Sequence, residues 1–177
     1  MSKGINCNIF LIGFMGAGKS TIARTLQREL GFPLVEMDER IVQEQGMSIN
    51  DIFAQYGEAH FREIESQLVV DLGKQEPSIV SCGGGVVVRP ENTQNMKKSG
   101  RIVLLKASPE TIFERVKNST DRPILNGHMN VEYIAELMEK RRVLYEEAAD
   151  ITIQTDGKTR EQICEEIIGK LRDTNEV

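Results

Sequence analysis

Short apolar runs alternate along the chain with stretches of helical period. "NIFLIG" (8–13) is a continuous apolar run of the length of a buried strand. "KSTIARTLQREL" (19–30) places Ile22, Leu26 and Leu30 on one face and predicts an amphipathic helix. "PLVEMD" (33–38) reads as a second strand, and "ERIVQEQG" (39–46) as a helix ended by Gly46. Ser48, with Asp51 three residues on, predicts the cap of the next helix, "SINDIFAQYG" (48–57). "EAHFREIESQLVVDLG" (58–73) carries Phe61, Ile64, Leu68 and Leu72 in a stripe. A third strand, "SIVSC" (78–82), runs into Gly83-Gly84-Gly85. "PENTQNMKKSG" (90–100) reads as a helix, with Pro90 in its first turn and Gly100 past its end.

"RIVLLK" (101–106) is a fourth strand, and "SPETIFERV" (108–116) a helix with Ser108 as cap and Pro109 in the first helical position. "KNSTDRPILNGHMN" (117–130) is polar and broken, and reads as mobile. "VEYIAELMEKRRVLYEEA" (131–148) is a long helix, "DITIQT" (150–155) a fifth strand, and "TREQICEEIIGKL" (159–171) a closing helix with a Thr159/Gln162 capping box. Strands that alternate with helices predict an α/β fold, a parallel sheet covered on both faces. No repeat, low-complexity tract or linker divides residues 1–177, so one domain is expected. In such folds ligands sit at the carboxyl ends of the strands. Three such places are chemically loaded: the turn after the first strand, Glu36 and Asp38 ending the second, and the triple glycine ending the third.

The first of these, "GFMGAGKST" (13–21), fits the phosphate-binding pattern G-x-x-x-x-G-K-[ST]. Gly13, Gly16 and Gly18 let the backbone turn and approach a ligand closely, so that N–H groups around Ala17 form a concave anion nest. Lys19 adds a mobile positive charge for outer phosphates, and Ser20 offers Mg²⁺ a hydroxyl. The loop opens a helix, whose N-terminal dipole favours a phosphate near Ser20 and Thr21.

Composition narrows the partners. Lys and Arg total 22 against 27 Asp and Glu, a net charge of −5, which leaves no basic footprint for nucleic acid. An acidic chain that binds anions must concentrate positive charge locally. Cys7, Cys82 and Cys164 are odd in number and lack C-x-x-C spacing, which argues against a disulfide framework and a zinc site. No apolar run is long enough for a membrane span, and a cytoplasmic protein is expected.

Each candidate also has a plainer explanation. Asp38 could cap a helix, or orient an attacking hydroxyl and take its proton. Glu36, two residues earlier, falls on the same side of a strand and could reach Mg²⁺ through water, or be an ordinary polar strand end. Arg62 and Glu65 are neighbours on a helix surface: a solvated pair, or a carboxylate aiming a guanidinium at an anion. Arg141 and Arg142 point about 100° apart, so at most one faces a pocket. Arg122 in "DRPIL" is either surface or an arginine that closes over transferred charge.

Taken together, "GFMGAGKST", "MDERI", "DIFAQYGEAHFREIES", "CGGGVV", "DRPIL" and "KRRVLY" resemble shikimate kinase in order and spacing, over nearly the whole chain. The resemblance implies a three-layer α/β/α P-loop kinase fold related to the nucleoside-monophosphate kinases: a five-stranded parallel sheet flanked by helices, a mobile lid at about 117–130 and a shikimate-binding helical region at about 38–72. It implies transfer of phosphate from ATP, with Mg²⁺, to the 3-hydroxyl of shikimate by a monomer with no nucleic-acid or membrane partner. By resemblance, Asp38 activates the hydroxyl; Arg62 and Arg141 hold the carboxylate, with Glu65 behind Arg62; Gly83, Gly84 and Gly85 form a wall, Gly84 and Gly85 touching substrate. Phe53 and Phe61 are its apolar side, Arg122 reaches the phosphates, and Lys158 in "TDGKT" falls in the adenine loop. Glu36 departs from the family, which often has Asp there. A kinase of this fold with another acceptor, gluconate or a nucleoside monophosphate, and a nucleotide switch without an acceptor remain as alternatives.

Overall fold

The computed structural model describes residues 4–117 and 130–175. Five strands form one parallel sheet: β1 (Asn8–Ile12), β2 (Leu34–Glu36), β3 (Ile79–Ser81), β4 (Gly100–Lys106) and β5 (Ile151–Gln154), in the order β2-β3-β1-β4-β5. The described helices are α1 (Lys19–Leu30), α2 (Met37–Gln45), α3 (Ile49–Tyr56), α4 (Glu58–Leu72), α5 (Pro90–Ser99), α6 (Pro109–Val116), α7 (Val131–Ala148) and α8 (Arg160–Asn175). Helices α1 and α8 pack together on one side of the sheet; α4, α5 and α7 cover the other. This is the three-layer arrangement expected from the alternation of elements.

Burial explains the strand sequences. β1 is buried along its whole length, which is why NIFLI is apolar without alternation. β5 lies at the edge and alternates: Ile151 and Ile153 are buried, Thr152 and Gln154 exposed. The caps form as spacing predicts: Asp51 N–H donates to Ser48 Oγ at 3.1 Å, and Thr159 and Gln162 exchange bonds of 2.9 and 3.1 Å.

The chain leaves β1 first to one side, for β2 and β3, and then to the other, for β4 and β5, so the crevice opens at the β1 carboxyl end. There Leu11 pairs with Ser81, and Cys82 N–H donates to Leu11 O at 3.1 Å. The glycine run after β3 is thereby tied beside the phosphate loop after β1.

Two boundaries differ from expectation, and one further turn lies outside it. β2 stops at Glu36, and Asp38 lies in the first turn of α2 rather than on a strand. Met37 and Ile41, four residues apart and both fully buried, pack this turn against the core, and Asp38 and Glu39 suit the positive end of a helix. A shared side of a strand is therefore not what brings Glu36 and Asp38 to the crevice; a strand end followed by a helical turn does so. Gly100 opens β4 instead of merely following α5, pairing with Asn8. Val86–Val88, a β-branched run, forms a 3₁₀ turn in which burial of Val86 and Val87 overrides strand preference.

Candidate active site

The phosphate loop is fixed by close packing. Gly16 has φ +81°, and a Cβ there would lie 2.7 Å from Val116 Cγ1 of α6, so the site accepts only glycine on both counts. Ala17 N–H donates to Phe14 O at 3.0 Å and closes the turn, and Lys19 Nζ donates to Gly13 O and Phe14 O at 2.6 and 3.0 Å. The ammonium thus folds back over the loop's own carbonyls, at the mouth of the nest. The first N–H groups of α1 follow directly, with the orphan donors that every helix N-terminus presents.

Ser20 Oγ donates to Glu36 Oε2 at 2.9 Å and lies 3.4 Å from Ser81 Oγ. The other oxygen, Glu36 Oε1, is buried with no partner among the described residues. A hydroxyl and a carboxylate with a spare oxygen form a hard donor set, fitting a cation that keeps several waters and takes phosphate oxygens, as Mg²⁺ does. No cluster of three metal-binding side chains occurs among the described residues, so an ion here would depend on water and phosphate for most of its shell.

Across the crevice the glycine run meets the charged groups. A Cβ on Gly83 would lie 3.0 Å from Glu65 Oε2 and 3.1 Å from Asp38 Oδ1; one on Gly84 would lie 3.7 Å from Arg141 Nη1 and 3.4 Å from Met15 N. On Gly85 it would fall 2.5 Å from Arg62 Nη1. Arg62 and Arg141 are both buried, at 6% and 8% exposure. Arg62 donates to Glu65 Oε1 at 3.0 Å and to Glu58 Oε1 at 3.2 Å, and its guanidinium carbon lies 5.2 Å from the centre of the Phe61 ring. The Phe53 and Phe61 rings stack obliquely at 5.1 Å. Burial raises the Glu65 carboxyl above its ordinary value, and the Arg62 guanidinium pulls it part of the way back. Arg62 Nε and Arg141 Nη1 remain buried without partners among the described residues. Two buried guanidinium groups with unused donors form a receptor for a small anion.

A cleft of about 740 Å³ joins these parts, lined by Gly16, Gly18, Lys19, Ser20, Thr21, Glu36, Asp38, Gly83 and Gly84, and also by Val42 and Ile49. Arg62, Glu65 and Arg141 stand around the glycine wall with Gly85, outside that lining, and the Phe61 ring, with Phe53 stacked on it, lies beside Arg62. Ala17 is buried, and its N–H is spent inside the loop. Arg142 points outward to Glu139 and Glu146, as adjacent helical positions require. Lys158 lies away from the lining, paired with Glu166 at 2.8 Å. Arg122 lies outside the described residues, as does the span 117–130 apart from its ends.

Sequence reasoning missed three groups. Arg115 lines the cleft and donates to Gly16 O at 2.9 Å, and nothing in its local sequence marks it. Cys82 lines it too, a buried thiol pushed up by burial. Tyr145 donates its hydroxyl to Gly84 O; its position four residues after Arg141 was the available signal.

A family model described as shikimate kinase matches residues 15–172. The shikimate kinase of Thermodesulfovibrio yellowstonii is 44% identical over 161 residues, 91% of this chain and 92% of that protein. The solved shikimate kinase of Acinetobacter baumannii, in complex with shikimate, superposes with a TM-score of 0.90 at 29% identity, over 96% of this chain and 94% of that one. That of Aquifex aeolicus superposes at 0.82 with 36% identity, over 95% of this chain and 98% of the other.

Proposed function

This chain belongs to the shikimate kinase family, whose reaction is ATP- and Mg²⁺-dependent phosphorylation of shikimate in aromatic amino acid biosynthesis, and we propose that the cleft carries out that reaction at the 3-hydroxyl through the residues described above. The observation that carries the assignment of roles is the pair of buried guanidinium groups. Arg62 and Arg141 keep donors unused behind the glycine wall, with Asp38 on one side and the phosphate loop on the other. A carboxylate seated between them would hold the ring of a small hydroxy acid with a hydroxyl toward Asp38.

Asp38 accepts or orients the proton of that hydroxyl. Glu65 fixes Arg62 from behind, and Phe53 and Phe61 face the apolar side of the ring. Gly84 and Gly85 offer backbone N–H groups. On the donor side, the loop residues Gly16 to Thr21 hold phosphates, with Lys19 and Arg122 against the transferred group and Lys158 toward the adenine end. Ser20 would hold Mg²⁺ by its hydroxyl and Glu36 through water, and the bound ion would neutralise charge on the phosphates. The span 117–130 is the lid and 38–72 the acceptor-binding region. The reading places the enzyme in the cytoplasm as a monomer; no described helix is long and apolar enough to cross a membrane. Light scattering on the purified chain checks the monomer.

The test is ADP release with MgATP, with and without shikimate, and with gluconate or a nucleoside monophosphate in its place. Rapid release with shikimate alone is expected; equal release without any acceptor would refute the reading.

A further inference from the structure

Tyr145 has no part in the roles assigned above. It lies on α7 one turn beyond Arg141, on the same face, and only 5% of it is exposed. Its hydroxyl donates to Gly84 O, the carbonyl at the centre of the glycine wall, and no other described group donates to that oxygen. The N–H groups of Gly84 and Gly85 meet no acceptor among the described residues. A trans peptide is planar, so holding one carbonyl fixes the next N–H in the opposite direction. Glycines on both sides of this peptide leave its orientation otherwise free.

We propose that Tyr145 is a positioning residue of the acceptor site: by holding the Gly84 carbonyl it aims the Gly85 N–H, beside Arg62 and Arg141, at the carboxylate of the acceptor. The inference rests on the acceptor reading given above. It also accounts for a phenol in this place. A phenylalanine would fill the same volume, but would leave a half-buried carbonyl without this donor and the peptide free to rotate. Burial pushes the Tyr145 hydroxyl above its ordinary value, so it stays a donor through neutral and mildly alkaline pH.

Tyr145→Phe in the full chain should raise the KM for shikimate about tenfold, the effect of losing one hydrogen bond of ordinary strength, with kcat and the KM for ATP within about twofold. The methyl ester of shikimate separates positioning from general damage. It lacks the anion, so wild type and Tyr145→Phe should bind it almost equally. A penalty on the ester as large as on the acid, or an equal rise in both KM values, would overturn the proposal. A measurement on the wild type removes dependence on the variant's folding: in ¹⁵N-glycine-labelled protein the Gly85 amide should shift on adding shikimate, and an unmoved amide would also overturn it. Wild type inactive toward shikimate overturns the proposed function and this inference together. Intact wild-type turnover with the wrong Tyr145→Phe pattern overturns this inference alone.

Discussion

Replacing Gly85 by alanine adds a single methyl group and should disable the proposed acceptor site. The backbone there has φ −102°, open to any residue, so the cost does not lie in the main chain. It lies in Arg62, whose Cζ would be 2.6 Å from the new Cβ. An ordinary carbon contact is roughly 3.5 Å, so the guanidinium must retreat by about 1 Å. It cannot do so freely, because its side chain is 7% exposed and held at 3.0 Å to a Glu65 that is 1% exposed. Losing one charge-assisted hydrogen bond to the acceptor costs about 1.5–3 kcal/mol, a rise in KM of roughly ten- to 150-fold. Breaking the buried pair costs about 3–5 kcal/mol of stability, or at least about 6 °C in Tm for a chain of this size. Gly84→Ala is the control: its Cβ would meet nothing closer than 3.4 Å, so Tm should stay within about 2 °C of wild type. Coupled ADP release at saturating MgATP, with scanning calorimetry on both variants, reads the two effects. A Gly85→Ala enzyme with a shikimate KM within about threefold of wild type and unchanged Tm would refute the packing of Arg62 against the wall.

Lys19→Ala should nearly abolish transfer while the melting curve survives, since its ammonium caps loop carbonyls and not core; near-normal turnover would sink the phosphate-loop assignment. Glu36→Gln should raise the Mg²⁺ concentration for half activity with shikimate KM unchanged, whereas Asp38→Asn should lose turnover at every Mg²⁺ level; Mg²⁺ titrations of both variants decide it. Glu65 has a native pKa raised by burial, so the folded state holds its proton more tightly than the unfolded one. The contribution of Glu65 to stability should therefore fall as pH rises from the ordinary glutamate value, about 4.3, through the raised one, and the Tm of wild type relative to that of Glu65→Gln should decline over that window. Parallel curves would contradict it.

What the sequence revealed depended on whether a residue's task was local. The phosphate loop, the caps at Ser48 and Thr159, and the buried run of β1 declare themselves within a few positions, because turn chemistry and burial act there. The β2–α2 boundary did not: Pro33 to Asp38 reads as strand until Met37 and Ile41 are seen packing a helical turn on the core. The choice between Arg141 and Arg142 was legible in principle. Ile134, Arg141, Tyr145 and Ala148 share one buried face of α7, which leaves Arg142 outside. Arg115 was not, since its neighbours on Gly16 come from a loop 99 residues away.

The two strands that carry the donor loop and the acceptor wall are adjacent and paired, Leu11 beside Ser81, with the Cys82 N–H bonded across. In the proposed reading the spacing between the two substrates is therefore set by paired strands of the central sheet. Anyone wishing to fit a larger or smaller acceptor gains little from altering these strands. In that reading the adjustable boundary is the helical side, where Phe53 and Phe61 sit on α3 and α4, clear of the sheet's hydrogen bonds. Acceptor preference can be re-engineered there without changing the distance the phosphoryl group must travel.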